Sequence, residues 1–183
     1  AVRGGGHSVP GFGTCDDGVV IDLSAMREVR VDPLNRTARV SGGATWGDLN
    51  AATYPFGLAT TGGIISTTGV GGLTLGGGIG YLDRGLGLAL DNLLAADVVT
   101  GDGSFHVASE KDDADLFWAI RGGGGNFGVV TSFEFRLSPV KDIYGGPMFF
   151  ELDQAGDLFR FYREFIADAP EQFGGFPAYQ IAP

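Results

Sequence analysis

Three glycines followed by a histidine, Arg3-Gly4-Gly5-Gly6-His7-Ser8, are the residues of this sequence best suited to chemistry beside a bound anion. Bare backbone lets successive N–H groups turn inward as a nest for phosphate oxygens, with His7 carried to the rim. A plainer reading, a flexible turn bearing an exposed histidine, fits the loop equally well, and the loop alone leaves both open. Glycine makes up 33 of the 183 residues, against about 7% in ordinary proteins. Beyond positions 4–6 it gathers at 69–80 and 122–128 with hydrophobic segments between, which argues against a collagen repeat or low-complexity disorder. Loops that must approach a ligand closely need such backbone.

The run Gly123-Gly124-Gly125-Asn126-Phe127-Gly128 matches the dinucleotide fingerprint G-x-G-x-x-G in letters only. It closes a helix and enters a strand, whereas the fingerprint leaves a strand and opens a helix onto pyrophosphate. Neither a phosphate-binding G-x-x-x-x-G-K-[ST] loop nor a G-x-S-x-G nucleophile elbow is present. The single cysteine, Cys15, reads as a small core or loop residue; it allows no internal disulfide, and no Cys/His cluster has zinc spacing. His106 reads as a surface strand residue. Redox chemistry in this chain therefore needs a cofactor.

Charge excludes other partners. Twelve Lys and Arg against 22 Asp and Glu leave a net −10, which repels nucleic-acid phosphates and anionic membranes. No apolar run is long enough to span a bilayer and no signal segment is readable; any targeting segment would lie upstream, so localisation stays open, with a cytoplasmic setting favoured. The sequence starts without Met and runs from Ala1-Val2 straight into the glycine loop, so it reads as a fragment whose preceding element is missing.

The elements that must position these residues follow from patterning. A buried strand is expected at 19–23, then a hairpin from Val29 and Val31 through Asp32-Pro33-Leu34-Asn35 to 37–40. Thr45 is placed to cap a helix with Trp46, Leu49 and Ala52 on one face, ended by Pro55 and Gly57. The stretch 69–80 is too rich in glycine to stand as an isolated helix and must be held by its packing. A second hairpin runs from 93–100 through Gly101-Asp102-Gly103 to 104–108. Ser109 and Asp112 resemble a capping box for a helix burying Leu116, Phe117 and Ile120, and 129–135 forms a strand by residue type and partial alternation. Ser138-Pro139 marks a boundary. Beyond it a strand near 148–152, a helix with Leu158, Phe159, Tyr162, Phe165 and Ile166 on one face, and a strand-like run near 178–181 are expected. Trp46 and Trp118 both read as core residues on apolar helix faces. Tyr81 is open between surface and cofactor contact, and Asp91 between a site role and a cap.

Four stretches occur in a telling order: the loop 3–8; Gly69-Val70-Gly71-Gly72-Leu73-Thr74-Leu75-Gly76-Gly77-Gly78-Ile79-Gly80; Gly87-Leu88-Ala89-Leu90-Asp91-Asn92; and 116–130 with its glycine run. Together they resemble the berberine bridge enzyme-like branch of the vanillyl-alcohol-oxidase flavoproteins, with a p-cresol methylhydroxylase-type FAD domain, over about residues 1–139. The resemblance implies an α+β fold: an incomplete FAD-binding domain at 1–139 and the beginning of an α+β substrate-binding domain at 140–183. It implies that His7 bonds the 8α carbon of FAD. That is sound chemistry, because a neutral imidazole nitrogen is a nucleophile and the 8-methyl carbon becomes electrophilic on losing a proton. Arg3, Gly4, Gly5, Gly6, His7 and Ser8 with Gly69, Val70, Gly71 and Gly72 would wrap pyrophosphate and ring. Gly76 and Gly77 would extend that segment, and Asn126, Gly128 and Val130 would offer backbone near flavin or adenosine. Some members add a cysteinyl bond just before the G-V-G-G run; Ile64-Ile65-Ser66-Thr67-Thr68 has no thiol, so a single histidyl bond is expected. Leu73 stands where some members carry histidine. The implied reaction is hydride transfer from an alcohol, carbohydrate or natural-product substrate to flavin N5, with O2 reoxidising the cofactor. The alternatives are a dehydrogenase using another acceptor and a flavin-binding module without turnover. No residue here matches the family's catalytic base, which comes from a later region.

Overall fold

The computed structural model describes residues 1–140 and 142–179. In chain order, β1 (Val2–Arg3), β2 (Ile21–Asp22), β3 (Val29–Asp32), β4 (Thr37–Ser41), α1 (Trp46–Thr53), β5 (Leu58–Ala59) and α2 (Val70–Leu75) make the first part. There follow α3 (Asp83–Leu86), β6 (Leu93–Val99), β7 (Phe105–Ser109), α4 (Ala114–Ile120), β8 (Val129–Arg136), β9 (Ser138–Pro139) and α5 (Ala155–Asp168).

Both expected hairpins form, and β8 inserts between them to give one antiparallel sheet in the order β3-β4-β8-β6-β7. Side chains alternate across it. Ala38 and Val40 face the core beside Phe135 and Phe133, which stand opposite Leu93 and Ala96; all six are buried. Between them, on the other face, Arg39 lies opposite Glu134 and forms an ion pair with Asp97. The alternation of β8 is only partial because Asp97 pairs with Ser132 but Val98 with Val130, leaving Thr131 as an extra residue. This bulge returns Val130 to the buried face.

Helices cover the apolar face. Thr45 caps α1 in a reciprocal box with Asp48, and Trp46 and Leu49 are buried, the indole tilted 5.8 Å from the Phe135 ring. On α4, Phe117 and Ile120 are buried as expected. Trp118 is not: it is 78% exposed, because a step of about 100° per residue carries it off the Phe117/Ile120 stripe. The Ser109/Asp112 pair is a turn closing β7 rather than the helix cap. Ser109 Oγ accepts from the Lys111 and Asp112 N–H groups, and the helix starts after Asp113, at φ 48°.

Two further expectations change, those at 19–23 and 148–152. The segment 19–23 forms only the short β2, parallel to β1; Val19, Val20 and Ile21 are exposed and Leu23 alone is buried, because this ribbon has a single strand neighbour. Ser138 and Pro139 pair with β5, just ahead of the expected boundary. No strand forms near 148–152: residues 142–150 lack regular structure, and 152–154 is a 3-10 turn leading into α5. A strand needs a partner for its backbone groups, and none lies beside this run among the described residues. The run 178–181 lies partly outside the described residues; Ala178 and Tyr179 are not in a strand.

The expected helix α5 does form. Leu158, Tyr162 and Ile166 are half-buried, while Phe159 stacks on Tyr179 at 5.3 Å and Phe165 meets Phe173 edge-on at 5.0 Å. Its C-terminal end is held by Arg84, whose guanidinium donates to the carbonyls of Ile166, Ala169, Phe173 and Pro170 at 2.9–3.4 Å. No helix among the described residues is long and apolar enough to cross a membrane.

Candidate flavin site

Arg3 leaves β1 with its guanidinium on Asp22 at 3.1 Å, and Leu23 N–H returns to the Arg3 carbonyl. Asp22 is held below the usual carboxylate range, first by the Ser24 backbone N–H, then by the Ser24 hydroxyl, with Arg3 adding to both. The anchor fixes where the glycine loop starts. From there the backbone runs directly against the second glycine segment: a Cβ on Gly5 would lie 2.4 Å from the Gly69 nitrogen, and one on Gly69 would lie 2.5 Å from the Gly5 nitrogen. Only two glycines permit that approach. Gly4 and Gly71 both face the Gly42 carbonyl, at 3.3 and 3.4 Å from their would-be Cβ positions. Gly42 itself rests on the β8 bulge, its N–H bonded to the Thr131 carbonyl.

The segment 65–69 is tied down over the start of α1. Trp46 N–H donates to the Thr68 carbonyl, Gly47 N–H to Ser66, and Val70 N–H to Ala44. Helix α2 then buries Val70, Gly71, Thr74 and Leu75 but exposes Gly72, where an added Cβ would meet nothing within 4 Å. The glycine-rich helix is held by packing, as its composition requires. Gly76 is exposed and Gly77 buried at φ 118°; the carbonyls of Gly77 and Gly78 accept from Leu90 and Ala89.

His7 stands exposed where the two glycine segments meet, with Nε2 3.2 Å from Thr67 Oγ1 and Nδ1 3.5 Å from Thr68 Oγ1. Ser8 Oγ accepts from the Phe12 N–H inside its own loop. The last stretch, 116–130, joins α2 at its other end: Gly122 N–H donates to the Leu75 carbonyl. Asn126 is exposed, its amide on the Gly123 carbonyl, and Gly128 at φ 151° presses on Val99. Val130 is buried in the core, so any role near a ligand falls to its backbone.

The structure thus brings 3–8 against 69–72 and sets 122–128 at the far end of the same short helix. Sequence reasoning overlooked Gly42, whose only signal was a Gly42-Gly43 doublet between strand and helix, and Thr67, which had none. Asp91 caps its own turn by accepting from Leu88 N–H and lies 3.6 Å from Arg121. Tyr81 is exposed, its carbonyl close against Gly174. His106 is a strand residue paired with Asp113 at 2.8 Å, and Cys15 an exposed loop thiol.

Comparison with known proteins places this geometry. A family described as FAD binding domain matches residues 1–109. An FAD-linked oxidoreductase of Dictyostelium discoideum is 47% identical over 147 residues, 80% of this chain and 32% of that protein. The crystal structure of 6-hydroxy-D-nicotine oxidase from Arthrobacter nicotinovorans superposes with a TM-score of 0.74 at 43% identity, covering 76% of this chain and 31% of that one. A chitooligosaccharide oxidase superposes with a TM-score of 0.80 at 31% identity over 93% of this chain and 38% of that one. The chain spans about a third of the length of the curated relatives it matches. With its glycine segments meeting at an exposed histidine, this chain belongs to the FAD-binding-domain family of the FAD-linked oxidoreductases, among them the berberine bridge enzyme-like proteins.

Proposed function

We propose that this chain holds FAD for an oxidoreductase that oxidises a small molecule (an alcohol, carbohydrate or natural product), with His7 bonded to the 8α carbon and O2 as electron acceptor. The observation that carries the reading is the contact of loop 3–8 with Gly69, which leaves His7 exposed at the junction. The residues fit the cofactor. The N–H groups of Gly5, Gly6 and His7 donate to no backbone carbonyl among the described residues, leaving them available to pyrophosphate oxygens. Gly72 offers open space where a side chain would intrude. When bound, FAD supplies the hydride-accepting centre. Residues 3–8 and 69–72 grip it, Asn126 and the backbone of Gly128 and Val130 border it, and Gly76 and Gly77 shape the exit of α2. The enzymes named among the relatives act on nicotine derivatives and oligosaccharides, which supports a small organic substrate. Residues 1–139 then form the cofactor unit and 140–183 the start of the substrate unit.

Acid precipitation of the complete flavoprotein tests the bond. The flavin is expected in the pellet, and peptide mapping is expected to find one attachment, on His7 and not Cys15. Flavin wholly in the supernatant overturns the covalent reading. Hydrogen peroxide release in air with substrate tests the acceptor.

A further inference from the structure

We propose that Thr67 is a positioning residue for His7, fixing the imidazole so that Nδ1 is the nitrogen that bonds FAD. The proposal rests on the reading of His7 as the attachment site. A free imidazole can flip its ring and exchange tautomers, and only one of the resulting states aims a lone pair at a given carbon. Thr67 Oγ1 sits 3.2 Å from Nε2, whereas the one other ring hydrogen bond among the described residues, Thr68 Oγ1 to Nδ1, is 3.5 Å, at the limit of a hydrogen bond. Thr67 stands between two residues whose backbone is hydrogen-bonded. Thr68 N–H donates to Ile65, and α1 donates to the carbonyls of Ser66 and Thr68 through Gly47 and Trp46. The Gly5–Gly69 contact sets the distance from that backbone to the loop bearing His7.

In the tautomer that donates Nε2–H to Thr67 Oγ1, Nδ1 keeps its lone pair, and bonding releases only the weaker Thr68 contact. In the attachment a C–H bond of the 8-methyl group breaks and a C–Nδ1 bond forms. The electron pair left on the ring passes to O2, and the methyl proton with the imidazole N–H proton completes hydrogen peroxide, so that R–CH3, imidazole N–H and O2 give R–CH2–N and H2O2. Positive charge builds on the imidazole before the Nε2 proton leaves, and the hydroxyl accepting that N–H stabilises it.

The test follows acid-stable flavin over time after FAD is added in air to the complete apoprotein, with noncovalent binding measured in parallel by flavin fluorescence quenching. Thr67→Val is expected to slow attachment about tenfold to a hundredfold while binding FAD noncovalently as the parent does, and Thr67→Ser is expected to restore the rate. Attachment by Thr67→Val at the parent rate overturns the proposal. So does a loss of noncovalent FAD in Thr67→Val, which would make the hydroxyl a binding or packing group. A parent protein that never acquires acid-stable flavin instead removes the His7 reading itself.

Discussion

The five-stranded sheet and the segment after residue 141 are both rich in large apolar side chains, yet they treat them oppositely. Phe133 and Phe135 are fully buried, stacked 6.0 Å apart between Trp46 and the neighbouring strands, whereas Phe149 is 90% exposed and Tyr144 and Met148 are bare. Residue type is the same in both regions; what differs is whether a neighbour exists. Each strand of the sheet has its backbone partner and a helix over its apolar face, while 142–150 has neither among the described residues. Apolar residues become a core only where topology supplies a second surface.

Phe133→Ala has the largest expected effect on the buried side of this contrast. Losing a buried phenylalanine with little room for collapse costs about 3–5 kcal/mol, so the denaturation midpoint of this chain should fall steeply. Phe149→Ala should stay within about 0.5 kcal/mol of the parent. Comparable losses from both would show that 142–150 is packed after all.

Arg84 links the two regions, and its removal is the next largest effect. Four carbonyls at the end of α5 share one guanidinium, and bonds to a charged donor contribute about 1.5–3 kcal/mol. Arg84→Ala should therefore speed amide exchange and proteolysis in 166–175 while leaving the exchange of β8 unchanged. Arg84→Lys should rescue little, because an ammonium lacks the planar fork. Equal acceleration in β8 would mean that the two regions unfold as one.

Where alternation or capping chemistry carried the message, as in the Thr45 cap, the two hairpins and the Phe117/Ile120 stripe, the sequence was legible. Those signals are local. Trp118 misled because an aromatic on an amphipathic helix looks like core until the helix phase is known to the residue. Thr131 hid a bulge that depends on pairing across two strands, and the strand expected near 148–152 depends on a partner that pattern cannot supply. At the candidate site the glycine clusters and His7 stood out as types, and their family order tied them to FAD. The meeting of Gly5 with Gly69, the support of Gly4 and Gly71 by Gly42 and the Thr67 contact join residues 29 to 64 positions apart, and no spacing rule reveals them.

Asp48 offers a smaller effect within the sheet-and-helix region. Burial raises its carboxyl, but the Thr45 backbone N–H, the Arg27 side chain and the Thr45 hydroxyl outweigh that, and its pKa lies below the ordinary 3.8. A lowered folded pKa gives stability that is complete above the unfolded value and lost as pH falls through the folded one. Asp48→Asn should cost about 1 kcal/mol at neutral pH, and the gap from the parent should close below roughly pH 4. Denaturant midpoints from pH 7 to pH 3 measure it. A gap that persists undiminished at pH 3 would show that the cap, not the charge, carries the effect.

The smallest expected change has the opposite sign and sets the cofactor site against the core. Gly72 lies within α2 in ordinary helical backbone, and a Cβ there meets nothing within 4 Å. In a helix interior alanine is more stable than glycine by about 0.5–1 kcal/mol, so by folding energetics alone Gly72→Ala is an improvement. A site that needs bare backbone against a flavin would reject the same methyl group. Gly72→Ala should accordingly raise the denaturation midpoint of the apoprotein and lower flavin occupancy in the complete protein. Gly69→Ala provides the contrast, because its Cβ would come within 2.5 Å of the Gly5 nitrogen, and it should lower both. If Gly72→Ala raises stability and keeps full flavin occupancy, Gly72 lies away from the cofactor, and the grip assigned to 69–72 narrows to its first three residues.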